Sequence, residues 1–195
     1  GMADPPPPPI VDAKLKWNNG NAWDLAATNW TNDDAPAAFQ NGDDVLFDLS
    51  ASGSGTISIS GDLSPSDVSF YSPLDYTLDG PGSLTGSMDL LKAGAGNLTL
   101  NSDQIYSGKT TVWSGSLEVN GNLEQSAVSV YKEATVRGSG TFGAGLELYE
   151  KGILEVGPGK GQAGTIQIND QLTCMDDARI CFDLSDDSSG LVKAN

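Results

Sequence analysis

The chain of 195 residues carries 26 acidic and 10 basic residues and no histidine, which gives a formal net charge of −16. A polyanion of this strength repels phosphate backbones and anionic lipids, so nucleic acid and the bare membrane surface are poor partners. Hydrophobic residues make up 38% of the chain and glycine contributes 24 residues, with no long helix-forming segment, so an all-β class is predicted.

The chain opens on a proline-rich segment, because residues 5–9 are five consecutive prolines. Consecutive prolines favour the extended polyproline II conformation, so residues 1–9 are predicted to be a stiff linker. A ligand for a proline-recognition domain is the alternative interpretation, and we favour the linker.

Residues 10–48 form a tryptophan-rich region, in which Trp17, Trp23 and Trp30 lie among Asn, Asp, Ala and Gly. A solenoid leaves the core of its first coil open, and large aromatic side chains can seal it, so this region is predicted to be an N-terminal cap. The alternative is a carbohydrate site, because an exposed indole offers an apolar face and a polar N–H. Trp113, which alternation places on the outside of a strand, completes the candidate sugar-binding set.

Residues 49–195 are predicted to be a β-helix repeat region, because short segments with alternating apolar residues follow one another between turns. Leu98, Leu117, Val136 and Leu154 recur at intervals of 19, 19 and 18 residues. A period near twenty in short strands indicates a solenoid, so these four side chains are predicted to form a column in its interior. An antiparallel sandwich or barrel is the alternative, but it seldom keeps such a register through three steps.

One segment of this region has a distinctive order of small, apolar and aromatic residues. The order is K-x-G-x-G-x-L-x-L, then Y-S-G-x-T-x-V, then G-x-L-x-V. It is formed by Lys92, Gly94, Gly96, Leu98, Leu100, Tyr106, Ser107, Gly108, Thr110, Val112, Gly115, Leu117 and Val119. The segment resembles the autotransporter-associated β-strand repeat, and the tryptophan-rich opening is similar to the region that often precedes such repeats. The likeness covers most of residues 17–185.

The resemblance implies a right-handed parallel β-helix of the passenger type, exported by a bacterium to the outer cell surface or the medium. We expect a structural stalk or an adhesin-like display protein, whose partners would be glycan or protein surfaces of a host or the environment. The repeats usually occur in longer arrays, so a truncated C-terminus and a short free-standing version both stay open. An uncapped last coil would favour end-to-end homo-oligomers. Membrane insertion is not expected, because no apolar run approaches the roughly 18 residues of a spanning helix.

The glycines of the motif have a predicted physical role. Gly94, Gly96, Gly108 and Gly115 are expected where the chain bends or where neighbouring coils crowd, because those positions require a positive φ or the absence of a Cβ atom. This role follows from the geometry of stacked coils and does not depend on the resemblance.

Catalysis is not predicted, and no catalytic residue is assigned. Without histidine, the usual general base near neutral pH is missing. A carbohydrate-binding module is therefore the second functional hypothesis, and a polysaccharide-degrading β-helix is the third and least favoured. Arg137, in the turn-like sequence R-G-S-G, is interpreted as a solvated side chain.

Two features near the C-terminus suggest a metal site and a covalent link. The pair Asp186 and Asp187 is a candidate calcium site, because carboxylate oxygens on loops bind calcium, although turn formation and solubility explain it adequately. No other cofactor is expected. A disulfide between Cys174 and Cys181 would staple the last coil of an exported protein. Alternation places Cys174 inward and Cys181 outward, which argues against this bridge.

Overall fold

The structure is a computed structural model, and it describes residues 8, 12–53, 55–157, 162, 164–182, 184–185, 188–189 and 191–194, the last three ranges as backbone only. The described part is all-β, with strands and turns and no helix. A search of these residues for an apolar helix that could cross a membrane accordingly gives none.

The described residues form 26 short strands, which follow in chain order. The first thirteen are β1 (Leu15–Trp17), β2 (Ala22–Trp23), β3 (Trp30–Asn32), β4 (Ala35–Ala37), β5 (Val45–Phe47), β6 (Gly55–Ile59), β7 (Asp62–Leu63), β8 (Asp67–Phe70), β9 (Tyr76–Asp79), β10 (Ser83–Leu84), β11 (Asp89–Lys92), β12 (Asn97–Leu100) and β13 (Thr110–Val112). The others are β14 (Ser116–Val119), β15 (Asn122–Leu123), β16 (Val128–Val130), β17 (Thr135–Gly138), β18 (Thr141–Phe142), β19 (Leu146–Leu148), β20 (Ile153–Val156), β21 (Thr165–Ile168), β22 (Leu172–Cys174), β23 (Arg179–Phe182), β24 (Leu184–Ser185), β25 (Ser188–Ser189) and β26 (Leu191–Ala194).

These strands wind into a parallel β-solenoid with three faces. Face one consists of β1, β5, β8, β11, β13, β16, β19 and β22, each parallel to the next. Face two consists of β2, β6, β9, β12, β14, β17, β20 and β23 in the same arrangement. Face three contains the pair β7 and β10 and the sheet of β15, β18, β21 and β26. One strand from each face makes a rung, such as β13, β14 and β15.

Antiparallel pairing between two of the described strands occurs only near the two ends of the chain, and one isolated antiparallel bridge joins Gly138 of β17 to Gly157. Strand β3 pairs antiparallel with β1 and with β4, and β24 pairs antiparallel with β25. Every neighbouring pair within the three faces is parallel. The sandwich and barrel alternatives are therefore wrong, and the solenoid prediction is confirmed. The right-handed sense of the winding stays a prediction.

The interior of face two is built from stacked aliphatic side chains. Leu98 is the direct partner of Leu117, Leu117 of Val136, and Val136 of Leu154. All four are completely buried. Burying such a side chain stabilises the fold by about 1.5–3 kcal/mol, and the same contribution repeats from rung to rung. The 19-residue spacing seen in the sequence is thus the length of one turn of the solenoid.

The motif glycines lie where consecutive rungs approach each other. A Cβ atom at Gly108 would lie 2.0 Å from the carbonyl oxygen of Met88, and one at Gly94 would lie 2.0 Å from that of Ser72. Gly115 adds a positive φ of 72°. A side chain at Gly94 or Gly108 would push two rungs apart, which explains why only glycine fits there.

The N-terminal end of the interior is filled by an aromatic cluster. Trp17, Trp23 and Trp30 are at most 2% exposed, and Phe39 and Phe47 are completely buried beside them. The ring centroids of Trp17 and Trp30 are 4.9 Å apart, and those of Trp23 and Trp30 are 5.0 Å apart, both in edge-to-face orientation. These rings close the first coil from inside, which is the predicted capping function of the region.

The predicted boundary between cap and repeats does not coincide with the start of the sheets. Strands β1 and β5 already belong to face one, and β2 already belongs to face two, although all three precede residue 49. The capping aromatic residues are therefore part of the first rungs and not a separate layer. The division at residue 48 stays a prediction about domains.

Candidate functional site

The most distinctive exterior feature is a column of aromatic side chains beside face one. Trp113, Tyr131 and Tyr149 each follow directly after a strand of this face, namely β13, β16 and β19. Their side chains are half-buried. The ring centroids of Trp113 and Tyr131 are 5.2 Å apart with a tilt of 35°, and those of Tyr131 and Tyr149 are 4.1 Å apart and stacked. We call these three residues the aromatic column.

Backbone hydrogen bonds fix the column in register. The N–H of Tyr131 donates to the carbonyl of Val112 at 2.9 Å, and that of Tyr149 donates to the carbonyl of Val130 at 2.8 Å. Each aromatic residue therefore lies one rung above the previous one, about 4.8 Å away. This distance lies within the range of about 4.5–7 Å that aromatic pairs prefer between their ring centroids, so the solenoid itself imposes the stacking.

Tight turns follow two of the aromatic residues and carry charge. The N–H of Ala134 donates to the carbonyl of Tyr131 at 2.8 Å, and the turn that it closes holds Lys132 and Glu133 at φ values of 42° and 66°. The next rung repeats the turn with Glu150 and Lys151. The four charged side chains line a shallow cavity of about 320 Å³. Two positive and two negative groups make this cavity locally neutral.

The electrostatics of the column favour the neutral form of Tyr149. Interaction with the Tyr131 hydroxyl, then burial and the nearby Glu147 carboxylate, raise the pKa of Tyr149 above its usual value. Its hydroxyl donates to Glu147 Oε2 at 3.2 Å. At the other end, Lys132 Nζ lies 5.5 Å from the ring centroid of Trp113, a cation–π distance. The column is thus an apolar stripe edged by hydrogen-bonding and charged groups.

The four candidate sugar-binding tryptophans do not form one surface. Trp17, Trp23 and Trp30 are buried in the cap, so their indole faces are not available to a sugar, and this part of the carbohydrate hypothesis is corrected. The physical reason is that an open solenoid core gains more from aromatic burial than an already solvated surface does. Trp113 alone lies at the exterior, where it contacts Tyr131.

The positions of Cys174 and Cys181 in the solenoid decide whether they can form the candidate disulfide. Cys174 lies in face one opposite Leu148, and Cys181 lies in face two opposite Glu155. Both thiols are free and exposed. The proposed disulfide is absent because the two residues belong to different faces, with Cys181 in an outward column.

No metal site emerges from the part of the chain that the structure describes. Asp186 and Asp187, the candidate calcium ligands, lie outside the described residues. Among those that are described, no three Asp, Glu or Cys side chains come together in a way that could hold an ion.

Arg137 has partners that sequence reasoning missed. It lies in strand β17 and not in a turn, and its Nη1 is 3.4 Å from Glu155 Oε2 in the next rung. Its Nη2 donates to Asn97 Oδ1 at 3.1 Å and to Ser116 Oγ at 3.0 Å. The interpretation as a solvated side chain is therefore wrong. The spacing of Glu118, Arg137 and Glu155 matches the solenoid period and was the signal that could have revealed the contact.

Lys92 is the second residue whose environment was not predicted. It is 1% exposed and occupies the interior of face one between Phe70 and Val112. Its Nζ donates to the carbonyls of Gly94 and Ser114. Burial lowers the pKa of Lys92 to about 8, against a smaller opposing effect of Asp75. Strict alternation with Leu90 was the available signal, because it places Lys92 on the inward side.

Comparison with known proteins bears on the middle of the chain. Residues 90–119 match the passenger-associated-transport-repeat. The matched repeat extends from β11 to the end of β14 and includes Lys92, the motif glycines and Trp113. Together with the solenoid fold, it identifies this segment as an autotransporter-associated β-helix repeat. No curated protein and no solved structure matches the chain.

The matched repeat also explains a buried polar network. Tyr106 is completely buried, and its hydroxyl lies 2.6 Å from Thr110 Oγ1, which in turn lies 2.8 Å from Ser126 Oγ. Burial raises the pKa of Tyr106. The Y-S-G-x-T element of the repeat thus places a tyrosine inside the solenoid and supplies the threonine that satisfies its hydroxyl.

Proposed function

We propose that the chain is a non-enzymatic, exported module of a bacterial passenger protein and acts as a rigid spacer at the cell surface. The observation that carries this proposal is the uninterrupted register of face two, in which Leu98, Leu117, Val136 and Leu154 stack without a break. A structure in which each rung contacts only its neighbours makes an extended, stiff body whose length scales with rung number. The matched repeat supports export to the surface.

The surface chemistry supports a structural role over catalysis. The chain has no histidine, and its net charge of −16 keeps an extended surface soluble and repels anionic polymers. Polar ladders on the outer side of face two, such as Asn97 with Ser116, hydrogen-bond along the solenoid axis at 2.7 Å. Such ladders stabilise the solvent-exposed side of the solenoid and keep its strands in order.

Location is tested on intact cells that produce the protein. Antibodies against the solenoid should label unpermeabilised cells, and external protease should remove the label. Label that appears only after permeabilisation would contradict the surface role. A periplasmic marker protein, which must stay unlabelled and protected, serves as the control for membrane integrity.

The spacer role is tested by removing one whole rung. Residues 110–127 form such a unit, because Thr110 pairs with Val128 at the equivalent position of the next rung. Their deletion should preserve the solenoid fold and surface display and shorten the module by about 4.8 Å. It should also lower stability, because it removes Thr110 and Ser126 from the buried Tyr106 network. An adhesin-like role, in which the aromatic column is the contact surface, predicts instead that cell or glycan adhesion is lost, because the deletion removes Trp113.

A further inference from the structure

The aromatic column continues toward the N-terminal end with one interruption. Tyr71 and Ala93 occupy the same position as Trp113 in earlier rungs, each one residue beyond a strand of face one. The N–H of Tyr71 donates to the carbonyl of Phe47, that of Ala93 to Phe70 and that of Trp113 to Lys92, at 2.7, 2.8 and 2.8 Å. Ala93 thus stands where its neighbours in the series carry large rings.

The interruption has the size of one ring. Rungs are about 4.8 Å apart, so the backbone positions of Tyr71 and Trp113 are about 9.6 Å apart, and Ala93 occupies the equivalent position between them. Two van der Waals contacts of about 3.5–4 Å each fit within this distance, which leaves room for one non-planar ring. The Trp113 ring contacts Tyr131, which lies one rung further from Ala93, and Lys132 Nζ lies 5.5 Å from the Trp113 ring centroid.

A second observation brings Pro8 next to Tyr71. The hydroxyl of Tyr71 donates to the carbonyl oxygen of Pro8 at 3.0 Å, although the two residues are 63 positions apart in sequence. Pro8 belongs to the run of five prolines. A polyproline II segment makes no internal hydrogen bonds, so its carbonyls are free to accept one from a tyrosine. Aromatic-lined grooves with such donors are a recurrent way of binding proline-rich peptides.

We propose that Tyr71, Ala93 and Trp113 form a docking slot for proline-rich segments, and that its occupant in this chain is the segment that contains Pro8. Tyr71 supplies the hydrogen bond, Ala93 the floor, and Trp113 the opposite wall. Pro8 is then held against the side of the solenoid. Tethering in the same chain gives the segment an effective concentration on the order of millimolar, so weak intrinsic affinity is sufficient for occupancy.

The experiment uses the full chain in two forms, the unmodified protein and the variant P5S/P6S/P7S/P8S/P9S, which keeps the length of the linker. The Trp113 indole N–H is followed by two-dimensional NMR and assigned with W113F. We expect this signal to shift in the serine variant, because the slot is vacated. The synthetic peptide DPPPPPI should return the signal to its original position, with half-saturation on the order of 1 mM or below. The peptide DSSSSSI should have no effect.

Matched variants in the serine background separate the slot from the rest of the column. Y71F should weaken peptide binding at least threefold, and A93F should abolish it by filling the slot. Y149F removes a hydroxyl from the same column outside the slot and should bind the peptide normally. An identical Trp113 signal in the unmodified and serine proteins, or no response to DPPPPPI at 5 mM, would overturn the proposal. A shift produced by cello- or chito-oligosaccharides and not by the peptide would overturn it in favour of a sugar site.

Discussion

Glu118 and Arg137 are direct neighbours on the outer side of face two, with 3.4 Å between Glu118 Oε2 and Arg137 Nε. Glu155 continues the column on the other side of the arginine. The guanidinium thus joins three rungs through carboxylates above and below it. Because the side chains of Glu118 and Arg137 are 14% and 24% exposed, the pair is screened by water less than an ordinary surface ion pair.

Removal of this cation should destabilise the solenoid. In R137M, Glu118 and Glu155 lose their shared counter-charge, and we expect a loss of about 1–2 kcal/mol in the free energy of unfolding, between the values for surface and buried pairs. Urea denaturation measures the change. The double variant E118Q/R137M should recover part of the loss, because it removes an uncompensated carboxylate. Equal stability of R137M and the unmodified protein would show that the contact contributes nothing.

The interior column should be sensitive to cavities. L117A removes atoms between Leu98 and Val136 and should cost about 2–5 kcal/mol, as large-to-small substitutions in packed cores do. L117M preserves the volume and should cost less than about 1.5 kcal/mol. The matched control is T111A on the outer side of face one. It should change the free energy of unfolding, measured by urea denaturation, by less than about 0.5 kcal/mol. If L117A and T111A behaved alike, Leu117 could not be a core residue.

Close approach between rungs should make Gly108 irreplaceable. In G108A the new methyl group would meet the Met88 carbonyl, so the rungs must shift, and we expect a loss of about 1–3 kcal/mol. G53A is the control, because a Cβ atom at Gly53 meets nothing within 4 Å. Gly53 lies outside the strands, so the alanine there should be neutral or stabilising by about 0.4–1 kcal/mol. Thermal unfolding monitored by circular dichroism separates the two, and a tolerant Gly108 would contradict the packing of β11 against β13.

Lys92 should give the solenoid a distinctive pH dependence. The pKa of Lys92 falls from 10.5 in the unfolded chain to about 8 in the folded protein. Below pH 8 Lys92 is therefore charged in both states, and the full cost of burying its charge lowers the stability of the folded protein. Between pH 8 and 10.5 the folded protein loses this proton first, the unfolded chain binds more protons, and stability rises with pH. The gain reaches at most about 3 kcal/mol for a shift of this size.

K92M isolates this contribution, because methionine preserves the apolar stem without a titrating group. The difference in unfolding free energy between unmodified protein and K92M should move in favour of the unmodified protein from pH 7 to pH 10. Burial raises the pKa of Tyr76 and Tyr106, but these tyrosines are present in both proteins and cancel in the comparison. A difference that is constant over this range would mean that Lys92 titrates as an exposed lysine.

Much of the fold could be predicted because a solenoid is nearly one-dimensional. The strands of each rung pair only with those of the adjacent rungs, so the 19-residue period that relates Leu98, Leu117 and Val136 identifies their tertiary neighbours. The same period relates Glu118 to Arg137 and Trp113 to Tyr131, and the outer columns could have been predicted by the same reasoning. Alignment of the apolar positions alone does not reveal these outer columns.

The sequence by itself determined the all-β class, the repeat length and the inward aliphatic column, since alternation and period are local properties that stacking preserves. Only the tertiary structure decided that Trp17, Trp23 and Trp30 meet inside the first coil, and that Tyr71 reaches Pro8. These contacts join segments with no common period, so their free energy depends on how the irregular N-terminal chain folds back onto the rungs. Such packing depends on the folded molecule as a whole, and no periodic pattern in the sequence predicts it.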